Sequence, residues 1–311
     1  MHQVFIAPWS EFPAFYGWIV LMGFLVTLSC GIVGNFLVLR RMALVGDAIS
    51  HGVLPGIVLA FLFLGTRDSW AMVIGAMVAG VATTLLIEVI HTHSRVKQDA
   101  AIGITFSTLF AIGVILVSLY ASKVDLDQDC VLYGEVSQVA SYPPAVVFGV
   151  AVAPQPIFVM GLVTVITVVL VGLFYKQLLV SSFDAGLARS LGINPRVVHY
   201  ALMALVSVIV VSAFESVGAI LVVAMLILPA ATAYLVTDRL PVMLALTAAH
   251  AALSSFFGLH LGIALDSSLA GAMVVVGFVL FCAAWAASSV RKVAGRRSAL
   301  SEVSGEPMAG T

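Results

Sequence analysis

Nine stretches of this chain are apolar over lengths that a soluble core rarely needs. They run at about 15–39, 42–65, 70–91, 102–121, 157–175, 197–216, 218–236, 241–260 and 267–288. At 1.5 Å rise per residue, each can carry a helix across a hydrocarbon core of roughly 30 Å. Lipid offers no partner for backbone N–H and C=O, so only helices or a closed barrel can span it. Barrel strands would alternate apolar and polar residues, and these runs do not. Composition agrees: 62% of the 311 residues are hydrophobic, 9% are charged and the mean hydropathy is +1.16. The predicted fold is an all-α polytopic membrane protein, a bundle of about 8–9 transmembrane helices. The count is open because segments 6 and 7 meet at Glu215–Gly218 almost without a loop, so one of them is broken or re-entrant.

Basic residues orient the segments. With Arg40 and Arg41 cytoplasmic, strict alternation puts Arg95, Lys97, Lys176, Arg189, Arg196, Arg239, Arg291, Lys292, Arg296 and Arg297 on the same side. Twelve of the 14 Lys and Arg then lie inside, leaving Arg67 and Lys123 outside, as the positive-inside bias requires. Nine crossings would place the N-terminus outside and the C-terminus inside. Short polar or Gly/Pro connections imply a single transmembrane domain, 1–290. The small, polar stretch 291–311 is expected to be a disordered cytoplasmic tail.

The second segment carries the chemistry. In RRMALVGDAISHGVLPG, Arg40–Gly56, two arginines precede an apolar run interrupted by Asp47 and His51. In lipid, an acid and an imidazole must be paired, bound to something, or facing a watery path. A spacing of four puts both on one helix face, roughly 40° apart and about 6 Å between Cβ atoms. One small cation can then touch a carboxylate oxygen and an imidazole nitrogen together, a pairing that first-row divalent metals accept. By helix rise from Arg41, Asp47 stands about 9 Å and His51 about 15 Å into the membrane. Gly46, Ala48, Ser50, Gly52 and Gly56 are small enough for neighbouring helices to approach closely. Pro55 cannot donate to the His51 carbonyl, which predicts a helix break at the same turn. Pro229 predicts a second break, with the Met225 carbonyl freed. Those carbonyls and Glu215, in SAFESVGAIL, are candidates to complete the site, although an acid at the outer end of a span also simply reaches water. A packing role for an Asp47–His51 pair stays open on these residues alone.

The remaining polar residues have plainer readings. Glu88 is expected to pair with basic loops, and His91, His93, His199, His250 and His260 to sit at interfaces or in packing. Cys30, Cys130 and Cys282 form no metal-knuckle or disulfide pattern. The N-terminal MHQVFIAPWSEFPAFYGW lacks a basic leader region and is expected to be a retained, aromatic interfacial segment. The run 144–153 is apolar but too short to cross and is expected along the surface. The outer loop DLDQDCVLYGEV holds Asp125, Asp127, Asp129 and Glu135, either a solvated loop or a cation-attracting mouth. In the cytoplasmic loop 175–196, Ser182 looks like an N-cap ahead of a brief helix, Ala185–Leu191, closed by Gly192. No GxxxxGK[ST], HExxH or GxSxG occurs, so nucleotide hydrolysis and intramembrane proteolysis by this chain are not expected. No basic, aromatic-interleaved surface points to nucleic acid.

At this point RRMALVGDAISHGVLPGI (40–57), QDAAIGITFSTLFAIGVILVS (98–118), DLDQDCVLYGE (125–135), SFDAGLARSLGI (182–193), HYALMALVS (199–207) and VGAILVVAMLILPAATA (217–233) stand in one order along the chain. Together they resemble the permease subunit of bacterial ABC importers for manganese, zinc or iron. The resemblance implies a homo- or heterodimer of permeases in the bacterial cell membrane. Two cytosolic ATPase subunits would drive it, and an extracellular metal-binding protein would supply it. It implies that Asp47 and His51 line the metal path. It makes Asp184, Ala185, Gly186, Leu187, Ala188, Arg189, Ser190, Leu191 and Gly192 the helix seated on the ATPase. The 125–135 loop is more similar to the manganese/iron branch than to the zinc branch. Many relatives carry Gln where Glu215 stands, so that residue's role is not carried over. The implied protein is not an enzyme, holds no permanent cofactor and takes the divalent metal as its cargo. A self-contained metal/proton carrier and an ABC permease for a larger chelate are the alternatives.

Overall fold

The computed structural model describes residues 7–64, 69–120, 136–147 and 150–304. A short helix α1 (Ala7–Glu11) leads into α2 (Pro13–Leu39). Helices α3 (Val45–Gly52) and α4 (Leu54–Leu64) form one interrupted span, followed by α5 (Ser69–His93) and α6 (Gln98–Tyr120). Past a 3₁₀ turn (Val136–Ser141) and strands β1 (Pro144–Val147) and β2 (Val150–Pro154) comes α7 (Gln155–Leu173). Two short helices, α8 (Tyr175–Phe183) and α9 (Ala185–Ser190), precede α10 (Pro195–Val217), α11 (Ala219–Val236), α12 (Leu240–Leu265) and α13 (Leu269–Ser304). Among the described residues, eight segments are long and apolar enough to cross a membrane, and the apolar helix Leu221–Val236 is shorter. The protein is a multi-pass membrane protein.

Helix α2 lies at the centre and packs on α7, α10, α11 and α12. Its Ile19, Met22, Val26, Cys30, Val33 and Phe36 are completely buried. Small residues let the backbones meet, which is how helices associate where lipid removes the hydrophobic drive. A Cβ on Gly34 would strike the Leu226 carbonyl oxygen, and Gly31 lies against Thr247 and Pro229. The Asn35 amide donates to the Gly31 carbonyl and the Thr247 hydroxyl, each at 2.9 Å, tying α2 to α12. Gly56 and Gly75 face each other between α4 and α5. Outward, α6, α7 and α13 expose Val, Ile and Phe side chains that water would not tolerate in such numbers and lipid accepts.

Contacts between these helices also fix their directions. Gly34 and Gly46, twelve residues apart, both touch Leu226, so the chain doubles back between α2 and α3. Gly52 meets Thr83 and Gly56 meets Ala79, making α5 antiparallel to the α3–α4 span. Gly80 meets Ser207 and Glu88 meets His199, making α10 antiparallel to α5. Gly31 meets Thr247 and Gly23 meets Ser255, making α12 antiparallel to α2. Thus α10 and α12 run the same way, with α11 between them. Its 18 residues span about 27 Å. The apparent lack of a loop before it is Gly218, at φ 83, the single residue between α10 and α11.

Two local expectations change. Pro229 does not break α11, which continues through it from Ala219 to Val236, with α2, α10, α12 and α13 packed around it; neighbouring helices in lipid make an interior proline tolerable. The apolar run expected along the surface carries strands β1 and β2, which pair antiparallel, with Val146 and Val152 exposed. The backbone of 291–304 continues α13 as helix rather than as tail, through the helix formers of RKVAGRRSALSE. The acidic 125–135 loop and residues 305–311 lie outside the described residues.

Candidate functional site

Helix α3 is eight residues long and packs against α5, α6, α10 and α11. Val45, Gly46, Ala48, Ile49, Ser50 and Gly52 turn inward and are buried. Gly46 abuts Leu226 of α11 and Gly52 abuts Thr83 of α5, so no larger side chain fits on that face. The opposite face stays open: Leu44 is exposed, the Asp47 side chain is 43% exposed and that of His51 is 26% exposed. Charged and polar atoms therefore sit on the one stripe of a buried helix that opens away from its neighbours.

The Asp47 Oδ1 and His51 Nε2 atoms are 3.5 Å apart. Two ligands each about 2.1 Å from one ion at a tetrahedral angle stand about 3.4 Å apart. The separation of the pair therefore matches that of two ligands on one divalent ion. The His51 ring is held by two aromatic neighbours on α6, Phe106 at 5.2 Å and Phe110 at 5.3 Å between ring centroids. Phe110 meets it edge-on, at 82°. Aromatic walls offer no ligand and limit the imidazole's rotation, so Nε2 keeps facing Asp47. Neither phenylalanine stands out in the sequence; their spacing of four, matching that of Asp47 and His51, is the signal that could have found them.

The Pro55 break falls at Val53, between α3 and α4. Val53 N–H still donates to the Ile49 carbonyl at 3.1 Å, and the Val53 carbonyl accepts from both Gly56 and Ile57. The interruption is thus one residue wide and lies two residues, about half a turn, beyond His51. Glu215 stands in the last turn of α10. It is eight residues, or about 12 Å, past Ser207, the residue that packs on Gly80 beside Ile49. Its backbone is therefore well outward of Asp47. Among the described residues, no group of three or more His, Cys, Asp and Glu is placed to hold a metal.

Elsewhere, Glu88 does not reach the loops but pairs with His199, Oε2 to Nε2 at 3.3 Å, linking α5 to α10. His199 is thus paired with a carboxylate across α5 and α10 rather than a lone packing residue. Trp9 donates to His260 Nε2 at 3.2 Å, while the Phe256 carbonyl accepts from His260 Nδ1 at 2.8 Å. That contact pins the aromatic N-terminal helix onto α12.

Helix α9 is short and firmly bounded. Asp184, rather than Ser182, is its N-cap: Oδ1 accepts from Gly186 N at 2.7 Å and Leu187 N at 3.0 Å. At the other end Gly192, at φ 77, lets Ile193 N–H return to the Ala188 carbonyl. Ser182 has another task. Its hydroxyl donates to the Leu178 carbonyl and accepts from Arg40 Nε at 3.0 Å.

The chain resembles proteins of named transport systems along most of its length. It is 45% identical over 272 residues to the manganese transport system membrane protein MntD of Bacillus subtilis, covering 88% of this chain and 92% of that protein. It is 42% identical to the zinc transport system membrane protein TroD of Treponema pallidum, covering 85% and 71% of the two chains. Among solved structures, PsaBC from Streptococcus pneumoniae in complex with Fab superposes with a TM-score of 0.74 at 36% identity, over 92% of this chain and 95% of that one. A family model matches residues 14–288, from the second residue of α2 to the apolar part of α13, and the chain accordingly belongs to the ABC 3 transport family.

Proposed function

We propose that this chain is the membrane permease subunit of an ATP-driven importer of divalent transition-metal ions. Manganese is the first candidate and zinc or iron the alternatives. The observation that carries this reading is the Asp47–His51 pair, 3.5 Å apart on the open stripe of a buried helix. Relatives named for manganese and zinc transport support it. Two ligands from this chain hold an ion transiently, which transport needs, because a tight, complete shell would not release its cargo. A second permease chain facing Leu44, Asp47 and His51 would supply further ligands. An extracellular metal-binding protein would deliver the ion. Cytosolic ATPase subunits seated on α9 would drive the change from outward to inward access. The C-terminus is assigned to the cytoplasm by the basic residues at 291–297.

Metal uptake in cells carrying Asp47→Asn or His51→Ala tests the site. Elemental analysis of washed cells is expected to show manganese accumulation reduced at least about tenfold in each. Wild-type accumulation in both variants would refute the assignment. For α9, Asp184→Ala together with Gly192→Ala loosens both ends, and is expected to weaken coupling of ATP hydrolysis to transport while leaving membrane insertion intact.

A further inference from the structure

Where α2 ends, its chain does more than turn. Met42 N–H returns to the Leu37 carbonyl at 2.8 Å and Arg41 N–H to the Val38 carbonyl at 3.0 Å. This double closure requires a left-handed residue, here Arg41 at φ 60. Val45 N–H then bonds the Met42 carbonyl at 3.1 Å, so the link from α2 into α3 is a short, hydrogen-bonded turn rather than a slack loop. Asp47 follows within the first turn of α3.

Arg40 sits at the start of this turn and points its guanidinium at the last turn of α8. Nε donates to Ser182 Oγ at 3.0 Å and Nη2 to Ser181 Oγ at 2.9 Å. Both serine hydroxyls in turn donate to the Leu178 carbonyl, at 2.7 and 3.2 Å, so each presents its lone pairs to the arginine. A planar fork gripping two adjacent hydroxyls is geometry that arginine supplies and lysine does not. Partial burial, which lowers the Arg40 pKa from its ordinary value, marks the contact as desolvated rather than a loose surface bond. Ser182 stands two residues before Asp184, the N-cap of α9, and α9 packs on α8 and α10.

We propose that Arg40 is the strut by which movement of α9 reaches the turn that starts α3, and through it the Asp47–His51 pair. Arg40 is a positioning residue: it touches no metal, but it joins the element that receives the ATPase stroke to the element that holds the ion. Helix α10 also touches both α9 and α3 and offers a parallel route. The serine fork is the route with directional hydrogen bonds. This inference rests on the reading of α9 as the ATPase-coupling helix.

The test uses the complete transporter, with its ATPase and binding protein, in proteoliposomes, recording ATP hydrolysed and manganese moved in the same sample. The variant S181A/S182A removes both acceptors and leaves the charge and the helices in place. It is expected to hydrolyse ATP near the wild-type rate while manganese moved per ATP falls about tenfold. Arg40→Lys is expected to fall between. Arg40→Gln combined with S181A/S182A is expected to lose no more than either alone, because all three act on one link. Wild-type manganese per ATP in S181A/S182A, at unchanged thermal stability, overturns the strut. So do losses that multiply in the combined variant. The D184A/G192A variant separates the two levels. If it uncouples and S181A/S182A does not, the strut alone fails; if neither lowers manganese per ATP, the coupling reading of α9 has failed.

Discussion

Asp47 and His51 are readable from sequence because lipid makes them anomalous: two ionisable groups four residues apart in an otherwise apolar helix are too costly to keep without a task. The rings that hold His51 are not anomalous at all. Phe106 and Phe110 are two apolar residues in a helix that is apolar all round, and only the packing of α6 on α3 gives them a role. Their removal tests that role without touching a ligand. Replacing both with leucine keeps the wall apolar but lets the imidazole turn. The manganese concentration for half-maximal uptake is expected to rise about tenfold, the size of effect seen when a residue that orients a metal ligand is lost. Unchanged half-saturation would mean that the rings only fill space. Arg40 was legible as a topological charge and nothing more, since its partners Ser181 and Ser182 lie about 140 residues away in sequence.

At the scale of elements, glycines separate into those that permit an approach and those that do not. In α2, a methyl group on Gly34 would meet a backbone carbonyl, that of Leu226, which cannot swing aside. Gly17 in the same helix has nothing within 4 Å. Gly34→Ala is expected to destabilise the detergent-solubilised protein by about 1–3 kcal/mol through overpacking. Gly17→Ala is expected to be neutral or to stabilise it by about 0.5–1 kcal/mol through helix propensity. Thermal unfolding followed by fluorescence on the two variants decides; equal shifts would show that α2 and α11 do not meet closely at Gly34. The turn after α2 makes a third case. Arg41 occupies a left-handed position where glycine is usual, at a cost of roughly 1 kcal/mol. Arg41→Gly is therefore expected to raise the unfolding temperature. The element boundaries themselves are visible where proline or glycine marks them, as at Gly192. They are hidden at Pro229, where neighbours on all sides outweigh one lost hydrogen bond, and at β1 and β2, where only strand pairing reveals the element.

For the whole molecule, hydropathy finds the membrane segments but does not decide whether α11 crosses, because that helix is both short and proline-bearing. Tertiary contacts bear on it: α10 and α12 run in the same direction, and the single residue Gly218 joins α10 to α11. A re-entrant α11 would return the chain to the face it came from, and α12 would then run opposite to α10. Among the described residues, this arrangement is expected to give nine crossings, eight by the long segments and one by α11. With the positive-inside bias placing Arg40 and the 291–297 cluster in the cytoplasm, the N-terminus is expected to be external. A cysteine introduced in place of Gln3, in a background with Cys30, Cys130 and Cys282 replaced, is expected to react with a membrane-impermeant maleimide in intact cells. A green fluorescent protein fused after Thr311 is expected to fluoresce, as it does only on the cytoplasmic side when exported unfolded. A cysteine at Thr237, in the link from α11 to α12, is expected to resist the reagent until the membrane is opened. Labelling of that position in intact cells would mean that α11 turns back, and the antiparallel chain of contacts from Gly52 through Ser207 would have to be redrawn.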